Sequence, residues 1–402
     1  MSFKRLLQIN TTVNSGSTGR IAEDIGKLFM QQGHESYIAF GRGHQPSASK
    51  TIRIGSTLDF HLHALKTRLF DLHGFGSTSA TRDFIEKVKE INPDVFHLHN
   101  IHGYYLNVEA LFRFLKEADK PVVWTFHDCW PFTGHCSHFD FINCNKWETQ
   151  CYNCPNTKGY PASWCIDNSK KNYQRKKELF SGLKNLTIVT PSKWLENHVT
   201  KSYLKEYSVI TIYNGVDLNI FKPSKDNWIL GNYKLVDQNY ILGVANVWSQ
   251  RKGLDDFFQL RQVLPSDLKI VLVGLNEHQI RGLTDGIIGI QHTENISQLA
   301  ALYSKAKVFV NPTYVDNFPT TNIEALACGT PVVTYNTGGS KEAICGHTGL
   351  IVSKGNILGL AEAINRVLNN YMSYKECRTR AETLYDNNNT ISAYLNLYMS
   401  LP

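Results

Sequence analysis

The fold is decided by one stretch, Lys307-Val-Phe-Val-Asn-Pro-Thr-Tyr-Val-Asp-Asn-Phe-Pro-Thr-Thr-Asn-Ile-Glu-Ala-Leu-Ala-Cys-Gly-Thr-Pro-Val-Val-Thr334. An apolar strand leads into a loop with Asp316, and a short helical run with Glu324 leads into a second strand. In a parallel α/β sheet, this order puts Asp316 at the carboxyl edge, where such folds bind ligands. Two carboxylates at that edge suit a ligand rich in hydroxyl groups. The alternative is a surface acid followed by an acid that only caps a helix dipole.

Short apolar runs alternate with amphipathic stretches from one end of the chain to the other. This alternation predicts parallel sheets covered by helices, and hence an α/β fold with two doubly wound domains of six strands each. The first six strands are expected at Leu6–Asn10, Ser36–Phe40, Thr51–Ile54, Asp94–His99, Val122–His127 and Leu186–Thr190. The second six are expected at Val209–Tyr213, Ile241–Ala245, Ile270–Val273, Ile287–Gln291, Val308–Val310 and Val332–Tyr335.

The length of 402 residues is too great for one ordinary core, which also favours two domains. We expect a first domain over 1–206 with a cysteine-rich insertion around 129–165, and a second domain over 207–385. The stretch 386–402 includes a short amphipathic pattern, Ile391–Met399, which is expected to cross back to the first domain.

The composition is that of a soluble globular protein, with 42% hydrophobic and 19% charged residues. A net charge of +7 is modest and does not indicate nucleic acid as a partner. The sequence contains no run of about 18 apolar residues, the length expected of a transmembrane helix. The amino-terminal apolar run is too short for a signal peptide. We therefore expect a cytoplasmic protein whose nine cysteines are reduced thiols or metal ligands.

Two clusters in the first half each have two interpretations. The basic residues Lys170, Lys171, Arg175, Lys176 and Lys177 form either a solvated helix face or a patch for an anionic membrane or a pyrophosphate-bearing lipid. Four cysteines with loose spacing, except for the last pair, are either ligands of a structural zinc or buried thiols: Cys136, Cys144, Cys151 and Cys154. Neither cluster suggests a catalytic metal.

Other candidate residues follow strands or open helices. Gly16 lies in a loop that follows the first strand, and His127 ends another strand of the same predicted sheet. Lys252 begins a helix, where a cation is unfavourable unless an anion shares the site. Gly338 and Gly339 form a turn that can bring backbone N–H groups close to a phosphate. Three of these have an ordinary structural alternative: a βα turn at Gly16, a satisfied structural histidine at His127 and an exposed lysine at Lys252.

The chain resembles the retaining, nucleotide-sugar-dependent glycosyltransferases of the GT-B fold, family 4, over essentially its whole length and most strongly over residues 209–345. The two acids match the Glu-x7-Glu signature of that family, with Asp316 one methylene shorter than the usual Glu. Further similar motifs are Asn214-Gly-Val-Asp217 with Phe221-Lys-Pro223, Arg251-Lys-Gly253 and Gly338-Gly-Ser-Lys-Glu342. The Trp- and Cys-containing segment Thr125–Cys136 resembles transferases of colanic acid and O-antigen assembly.

The resemblance implies two Rossmann-like domains that face a deep cleft, with the nucleotide sugar in the second domain and the acceptor in the first. Asp316 would bind sugar hydroxyls, Glu324 the ribose, and Lys252 the pyrophosphate. Arg251 would replace an arginine that the family carries a few residues earlier. His127 would position the transferred sugar. The remaining donor contacts are expected at Gly16, Asn317, Phe318, Gly338 and Gly339.

The implied enzyme is a hexosyltransferase that uses a UDP- or GDP-sugar and needs no metal for catalysis. Its acceptor would be a lipid-linked saccharide in bacterial surface polysaccharide synthesis, with peripheral contact at the cytoplasmic face of the inner membrane. Two alternatives remain, a non-catalytic scaffold that binds nucleotide sugars and a nucleotide-sugar epimerase or phosphorylase of similar fold.

Overall fold

The computed structural model describes residues 4–224, 228–233, 235–236 and 238–401. It divides into two compact units. The N-terminal unit comprises Met1–Ile212 together with Ile391–Pro402, and the C-terminal unit comprises Tyr213–Thr390. None of the helices in these described ranges has the length and apolar character needed to span a membrane.

The N-terminal unit is built on a parallel sheet of seven strands in the order β3-β2-β1-β4-β5-β6-β7. The strands are β1 Arg5–Asn10, β2 Glu35–Phe40, β3 Lys50–Arg53, β4 Val95–Leu98, β5 Val122–Thr125, β6 Leu186–Thr190 and β7 Ser208–Thr211. The central strands β4 and β5 are buried along their whole length, as expected for a sheet covered on both faces. The strand order reverses between β1 and β4, so the carboxyl ends of these strands border the crevice where such sheets bind ligands.

Helices cover this sheet, and side-chain caps mark where several of them begin. They are α1 Gly16–Gln31, α2 Thr57–Phe70, α3 Thr78–Ile91, α4 Val108–Ala118, α5 Ser169–Phe180 and α6 Lys193–Val199. The Asn107 side chain accepts from the Ala110 N–H at 3.0 Å and so caps α4. The long segment between β5 and α5 contains three short 3₁₀ helices, Trp130–Phe132, Asp140–Ile142 and Lys146–Glu148.

The C-terminal unit is built on a parallel sheet of six strands in the order β10-β9-β8-β11-β12-β13. The strands are β8 Tyr240–Val244, β9 Lys269–Val273, β10 Ile287–Ile290, β11 Val308–Asn311, β12 Val332–Tyr335 and β13 Gly349–Val352. The helices are α7 Trp228–Asn232, α8 Leu254–Val263, α9 Glu277–Arg281, α10 Ile296–Lys305, α11 Thr320–Ala327, α12 Ile357–Arg366 and α13 Tyr374–Leu384. Short 3₁₀ helices span Gln250–Lys252 and Ser340–Ala343, and a π-helical turn spans Val367–Tyr371.

The last helix, α14, spans Asn387–Ser400, and its residues from Ile391 onward belong to the N-terminal unit. Ile391, Tyr394 and Tyr398 are buried there against residues of the first sheet such as Leu6 and Val95. The two tyrosines also make polar contacts: the Tyr394 hydroxyl lies 3.1 Å from Thr125 Oγ1, and the Tyr398 hydroxyl lies 2.6 Å from His97 Nδ1.

The α/β fold class is confirmed, but one predicted strand was assigned to the wrong sheet and one strand was missed. The run expected to open the second domain is β7, which pairs in parallel with β6 and therefore extends the first sheet to seven strands. The first unit accordingly continues to Ile212, beyond the boundary expected after residue 206. The second sheet still has six strands because β13, which was not predicted, pairs with β12.

Candidate functional site

The Asp316 loop connects β11 to α11 and lies at the carboxyl edge of the second sheet. Lys252 Nζ donates a hydrogen bond to Asp316 Oδ2, and both side chains keep about one fifth of their surface exposed, 23% and 21%. Partly exposed ion pairs stabilise a fold by at most about 1 kcal/mol. This pair therefore contributes little to fold stability, and it leaves a cation and an anion side by side and partly exposed.

The turn that carries Lys252 is docked directly on the loop that carries Asp316. The Arg251 carbonyl accepts from the Tyr314 N–H at 2.8 Å, and the Arg251 guanidinium donates to the Val315 carbonyl at 3.0 Å. Gly253 makes this approach possible, since a Cβ there would lie 2.2 Å from the Pro312 carbonyl oxygen. Its φ of +74° also favours glycine. Arg251 thus positions the loop through a backbone carbonyl.

The Gly338-Gly339 turn contacts the same loop from the other side. The Gly339 N–H donates to the Asp316 carbonyl at 3.0 Å. A Cβ on Gly338 would lie 2.0 Å from that carbonyl oxygen, and its φ is +51°. The Gly339 amide is therefore engaged within the protein, and the turn fixes the backbone of Asp316 in addition to any role at a phosphate.

Glu324 lies in α11 and is partly exposed. Its Oε2 accepts from the hydroxyl of Tyr303, a fully buried residue of α10, at 3.0 Å. Burial, and then the neighbouring Glu324 carboxylate, raise the pKa of Tyr303, so this hydroxyl stays protonated and donates. Sequence reasoning missed Tyr303, because the residue lies in a different helix and no motif includes it.

Asn317 and Phe318 are both buried, at 4% and 3% exposure. The Phe318 ring packs against Tyr213 and Tyr385, with ring centroids 5.1 Å and 5.6 Å away. Asn214, from the Asn-Gly-Val-Asp turn, donates to the Phe318 carbonyl at 3.4 Å. This part of the loop is therefore held from both sides, which suits a backbone that presents amide groups to a ligand.

A buried polar network beneath the site is a second feature that sequence reasoning missed. Asn311 Nδ2 donates to Asn322 Oδ1 at 2.8 Å, and Asn322 Nδ2 donates to the carbonyl and the hydroxyl of Ser340 at 3.0 Å. Buried polar groups of this kind are costly when left unsatisfied and rigid when fully bonded. The network ties β11, α11 and the glycine turn into one rigid support.

Gly16 and His127 lie in the N-terminal unit, both following strands of its sheet. Gly16 begins α1, has a φ of +66°, and would have open space around a Cβ. His127 follows β5, and its Nε2 lies 3.2 Å from Nδ1 of the buried His99. Burial lowers the pKa of His127 to about 4, so the imidazole is neutral at pH 7. A neutral imidazole can orient a hydroxyl group but cannot act as a cation.

The four cysteines of the long loop line one small pocket together with His135, Phe139 and Trp147. The Gly134 N–H donates to Cys151 Sγ at 3.2 Å. Within the described ranges, however, no three His, Cys, Asp or Glu side chains converge as a set that could hold a metal ion. The thiols share a pocket without forming a ligand set, and structural zinc stays a prediction. Metal analysis decides it, since less than about half an equivalent of zinc would count against a structural site.

The basic cluster of α5 is not a uniform solvated face. Lys176 is buried, its Nζ lies 3.9 Å from the Trp130 ring centroid, and it donates to the Trp130 carbonyl at 2.6 Å. Arg175 pairs with Glu109 at 2.7 Å. The exposed lysines that remain are Lys170, Lys171 and Lys177. Burial lowers the pKa of Lys176 to about 7. Any membrane patch on this helix is therefore smaller than five charges.

Comparison with known proteins places the whole chain among sugar transferases. Residues 18–220 match the model of Glycosyltransferase Family 4, and residues 229–384 match that of Glycosyl transferases group 1. The putative colanic acid biosynthesis glycosyl transferase WcaC of Escherichia coli is 25% identical, over 98% of this chain and all of that protein. The capsular polysaccharide biosynthesis glycosyltransferase CapM of Staphylococcus aureus is 27% identical, over 45% of this chain and 52% of its own.

Solved structures show the same fold over almost the full length. Sucrose-phosphate synthase of Thermosynechococcus elongatus superposes with a TM-score of 0.74 at 19% identity, covering 99% of both chains. Anabaena HepE in complex with UDP superposes with a TM-score of 0.68 at 15% identity, covering 99% of this chain and 100% of its own. The GT-B fold expected from the sequence is thereby confirmed. With one family model over each half, the chain belongs to the glycosyltransferases, as a member that joins a Glycosyltransferase Family 4 domain to a Glycosyl transferases group 1 domain.

Proposed function

We propose that this protein transfers a hexose from a UDP- or GDP-sugar to a lipid-linked saccharide, with retention of configuration, in the synthesis of a bacterial surface polysaccharide. The relatives named for colanic acid and capsule synthesis support the pathway class. A Campylobacter jejuni relative named as an N-acetylgalactosaminyltransferase acting on a diphospho-undecaprenol saccharide supports the acceptor class, at 26% identity over 48% of this chain. HepE structures with UDP and with UDP-glucose support a nucleotide-sugar donor.

One observation supports the proposal most directly. The Lys252 ammonium group contacts the carboxylate of Asp316, which lies on the loop that leads into α11, the helix that contains Glu324. A nucleotide sugar needs a cation for its pyrophosphate and carboxylates for its hydroxyl groups. We assign Lys252 to the pyrophosphate with the backbone amides near Asn317 and Phe318, Asp316 to the sugar hydroxyls, and Glu324 to the ribose. His127, in the N-terminal unit, is assigned to the transferred sugar on the basis of the resemblance.

The transfer breaks the bond between sugar C1 and the β-phosphate oxygen and forms a bond between C1 and the acceptor oxygen on the same face. The proton of the acceptor hydroxyl passes to the departing phosphate, so a nucleoside diphosphate is the second product. Negative charge grows on that phosphate in the transition state, where a fixed cation such as Lys252 stabilises it most. This chemistry requires no catalytic metal, because the lysine supplies the positive charge.

The acceptor lipid would bring the protein to an anionic membrane surface. Lys170, Lys171 and Lys177 remain exposed on α5 and fit that surface. At about 1 kcal/mol for each lysine, three of them add about 3 kcal/mol to membrane binding. We therefore propose a peripheral contact at the cytoplasmic face of the inner membrane, weak enough to be reversible.

Release of nucleoside diphosphate tests the proposal. The protein is incubated with UDP- and GDP-sugars and an extract of lipid-linked saccharides, after a thermal-shift panel has identified the sugar that binds. We expect Asp316→Ala and Glu324→Ala each to lower turnover by more than about tenfold, because each removes a charged hydrogen-bond acceptor from the donor.

The matched controls are Asp285→Ala and Glu362→Ala, the same substitutions at exposed positions of the same unit, which should leave turnover unchanged. Near-normal turnover in both site variants would overturn the site assignment. Binding without release of nucleoside diphosphate from any sugar would favour the non-catalytic scaffold. Interconversion of the nucleotide sugar itself would favour an epimerase.

A further inference from the structure

A chain of three buried or partly buried side chains runs beneath the carboxyl edge of the first sheet. Gln8 comes from β1, and His99 and His127 follow the adjacent strands β4 and β5. Gln8 Oε1 lies 3.1 Å from His99 Nε2, and His99 Nδ1 lies 3.2 Å from His127 Nε2. Gln8 and His99 are 0% and 2% exposed, so water does not compete for these bonds.

The donor and the acceptor of each hydrogen bond in this series of side chains follow from the orientation of the buried Gln8 amide. Gln8 Nε2 lies 2.7 Å from the Ala22 carbonyl, which can only accept, so the amide nitrogen points there and the amide oxygen faces His99. His99 must therefore donate from Nε2. A neutral His99 then has a bare Nδ1, and His127 must donate to it from Nε2.

Both rings are neutral around pH 7. Burial, with the nearby histidines, holds the pKa of His99 well below its usual range, and burial lowers that of His127 to about 4. The His99 ring is also held in place from below, because the His97 ring packs on it with centroids 3.9 Å apart. His97 is itself hydrogen-bonded at both ring nitrogens, to Thr125 at 2.8 Å and to Tyr398 at 2.6 Å.

We propose that Gln8 and His99 are positioning residues that hold His127 in the tautomer with hydrogen on Nε2, so that its Nδ1 can only accept. A ligand group that meets Nδ1 must then donate a hydrogen. This selects a sugar hydroxyl over a phosphate or carboxylate oxygen, both of which are acceptors only. The ligand assignment rests on the proposed function, whereas the tautomer rests on the hydrogen-bond chain alone.

Nitrogen NMR of the full-length protein with ¹⁵N-labelled histidine tests the tautomer directly at pH 7.5. The His127 signals are assigned by their loss in His127→Gln. We expect hydrogen on Nε2 and a bare Nδ1 in the unaltered protein, a measurement that needs no folded variant of the buried residues. Hydrogen on Nδ1 of His127, or a doubly protonated ring, would overturn the proposal.

Variants then test the dependence on the buried residues. His99→Leu removes the acceptor and should give a mixture of the two His127 tautomers, whereas His99→Gln offers an amide oxygen and should restore the Nε2–H form. Gln8→Met should weaken the preference through His99. Tyr173→Phe is the matched control, since it removes a buried hydrogen bond to the Trp147 carbonyl and touches none of these histidines. His127 signals that are the same in all four variants would refute the relay.

Kinetics separate this proposal from the proposed function. If both hold, His99→Leu lowers kcat by at least about tenfold with a smaller change in the donor KM, because a wrong tautomer spoils orientation. His99→Gln recovers most of that loss. Normal turnover in His99→Leu would refute the positioning role even if the transferase activity stands. No turnover in the unaltered protein, with the expected NMR signals, would refute the ligand assignment and leave the tautomer intact.

Discussion

Tyr303 and Tyr240 are two buried tyrosines of the C-terminal unit, and each donates its hydroxyl to one acceptor. Tyr303 donates to Glu324 at 3.0 Å, and Tyr240 donates to the Leu302 carbonyl at 2.7 Å. Removing either hydroxyl should lower the free energy of unfolding by about 1 kcal/mol. We expect Tyr303→Phe in addition to raise the donor KM several-fold, because Glu324 loses the bond that orients it.

Steady-state kinetics with the donor found in the thermal-shift panel measure this difference. Tyr240→Phe is the control, since it has the same chemistry and a similar stability loss but no contact with an assigned site residue. Equal KM values for the two variants would show that Tyr303 only supports the fold.

Lys176 should make stability depend on pH in the alkaline range. Burial lowers its pKa to about 7 in the folded protein, against about 10.4 in an unfolded chain. Between those values the unfolded state binds more protons, so the stability contributed at this position rises with pH. The destabilisation that results from burying Lys176 is therefore largest below pH 7, and it disappears as the pH approaches 10.5.

Denaturant unfolding at pH 7 and pH 10 tests this sign. The stability of the unaltered protein minus that of Lys176→Met should increase from the lower to the higher pH. The neighbouring exposed Lys177→Met should show no such trend. A difference that stays flat or falls with pH would contradict a buried, proton-releasing lysine.

The sequence predicts where a strand lies better than it predicts which sheet the strand joins. The apolar run that forms β7 was recognised as a strand, but its period is the same whichever sheet it joins. Only its pairing with β6 decides that it belongs to the first unit. Strand β13 was missed because it is four residues long and follows a turn-rich segment, Cys345–Thr348, so no alternation is visible.

In the candidate site, too, the residues of local motifs could be predicted, whereas the residues that contact them from other elements could not. Asp316, Glu324 and Lys252 belong to local motifs and could be selected by spacing. Tyr303 and Asn322 act on them through contacts across helices and strands, which no local pattern reports. The buried state of Lys176 likewise depends on Trp130, 46 positions away.

Helix α14 should be essential to the N-terminal unit. Its residues Ile391, Tyr394 and Tyr398 are 7%, 2% and 0% exposed. At about 1.5–3 kcal/mol each, burying three such side chains contributes about 4.5–9 kcal/mol, a large share of the stability of an ordinary domain. We expect truncation after Thr390 to leave the N-terminal unit unfolded or prone to aggregation.

Limited proteolysis with mass spectrometry measures the effect unit by unit. Cleavage should move into residues 4–212 of the truncated protein, while the C-terminal unit stays resistant. Tyr398→Phe should be milder, with a loss of about 1 kcal/mol from one hydrogen bond. A truncated protein as resistant as the full chain would show that the helix is dispensable.

The molecule as a whole should be most sensitive to acid in its N-terminal unit. Burial lowers the pKa of six histidines of that unit, to about 3 for His63 and about 4 for His127 and His198. The other three are His73, His97 and His99. In the unfolded chain these histidines bind a proton below about pH 6.5, whereas in the folded protein they stay neutral to a lower pH. The free energy of unfolding is therefore highest above pH 6.5 and falls as the pH drops towards 4.

At one pH unit below 6.5, each such histidine costs about 1.4 kcal/mol. Thermal unfolding between pH 7.5 and pH 5 should therefore show a falling Tm, with proteolysis locating the loss in residues 4–212. A Tm that is constant over this range would mean that these histidines are protonated without disturbing the fold.

The split of α14 between the units has a consequence for biosynthesis. The N-terminal unit is completed by residues from Ile391 onward, which follow the entire C-terminal unit in the chain. Domains usually fold in order as they leave the ribosome. Here the first sheet must wait, with the surface that meets Tyr394 and Tyr398 uncovered, until the second sheet has been synthesised. We expect the nascent chain to expose this apolar surface to chaperones during that interval, while the C-terminal unit, which is continuous, is free to fold first.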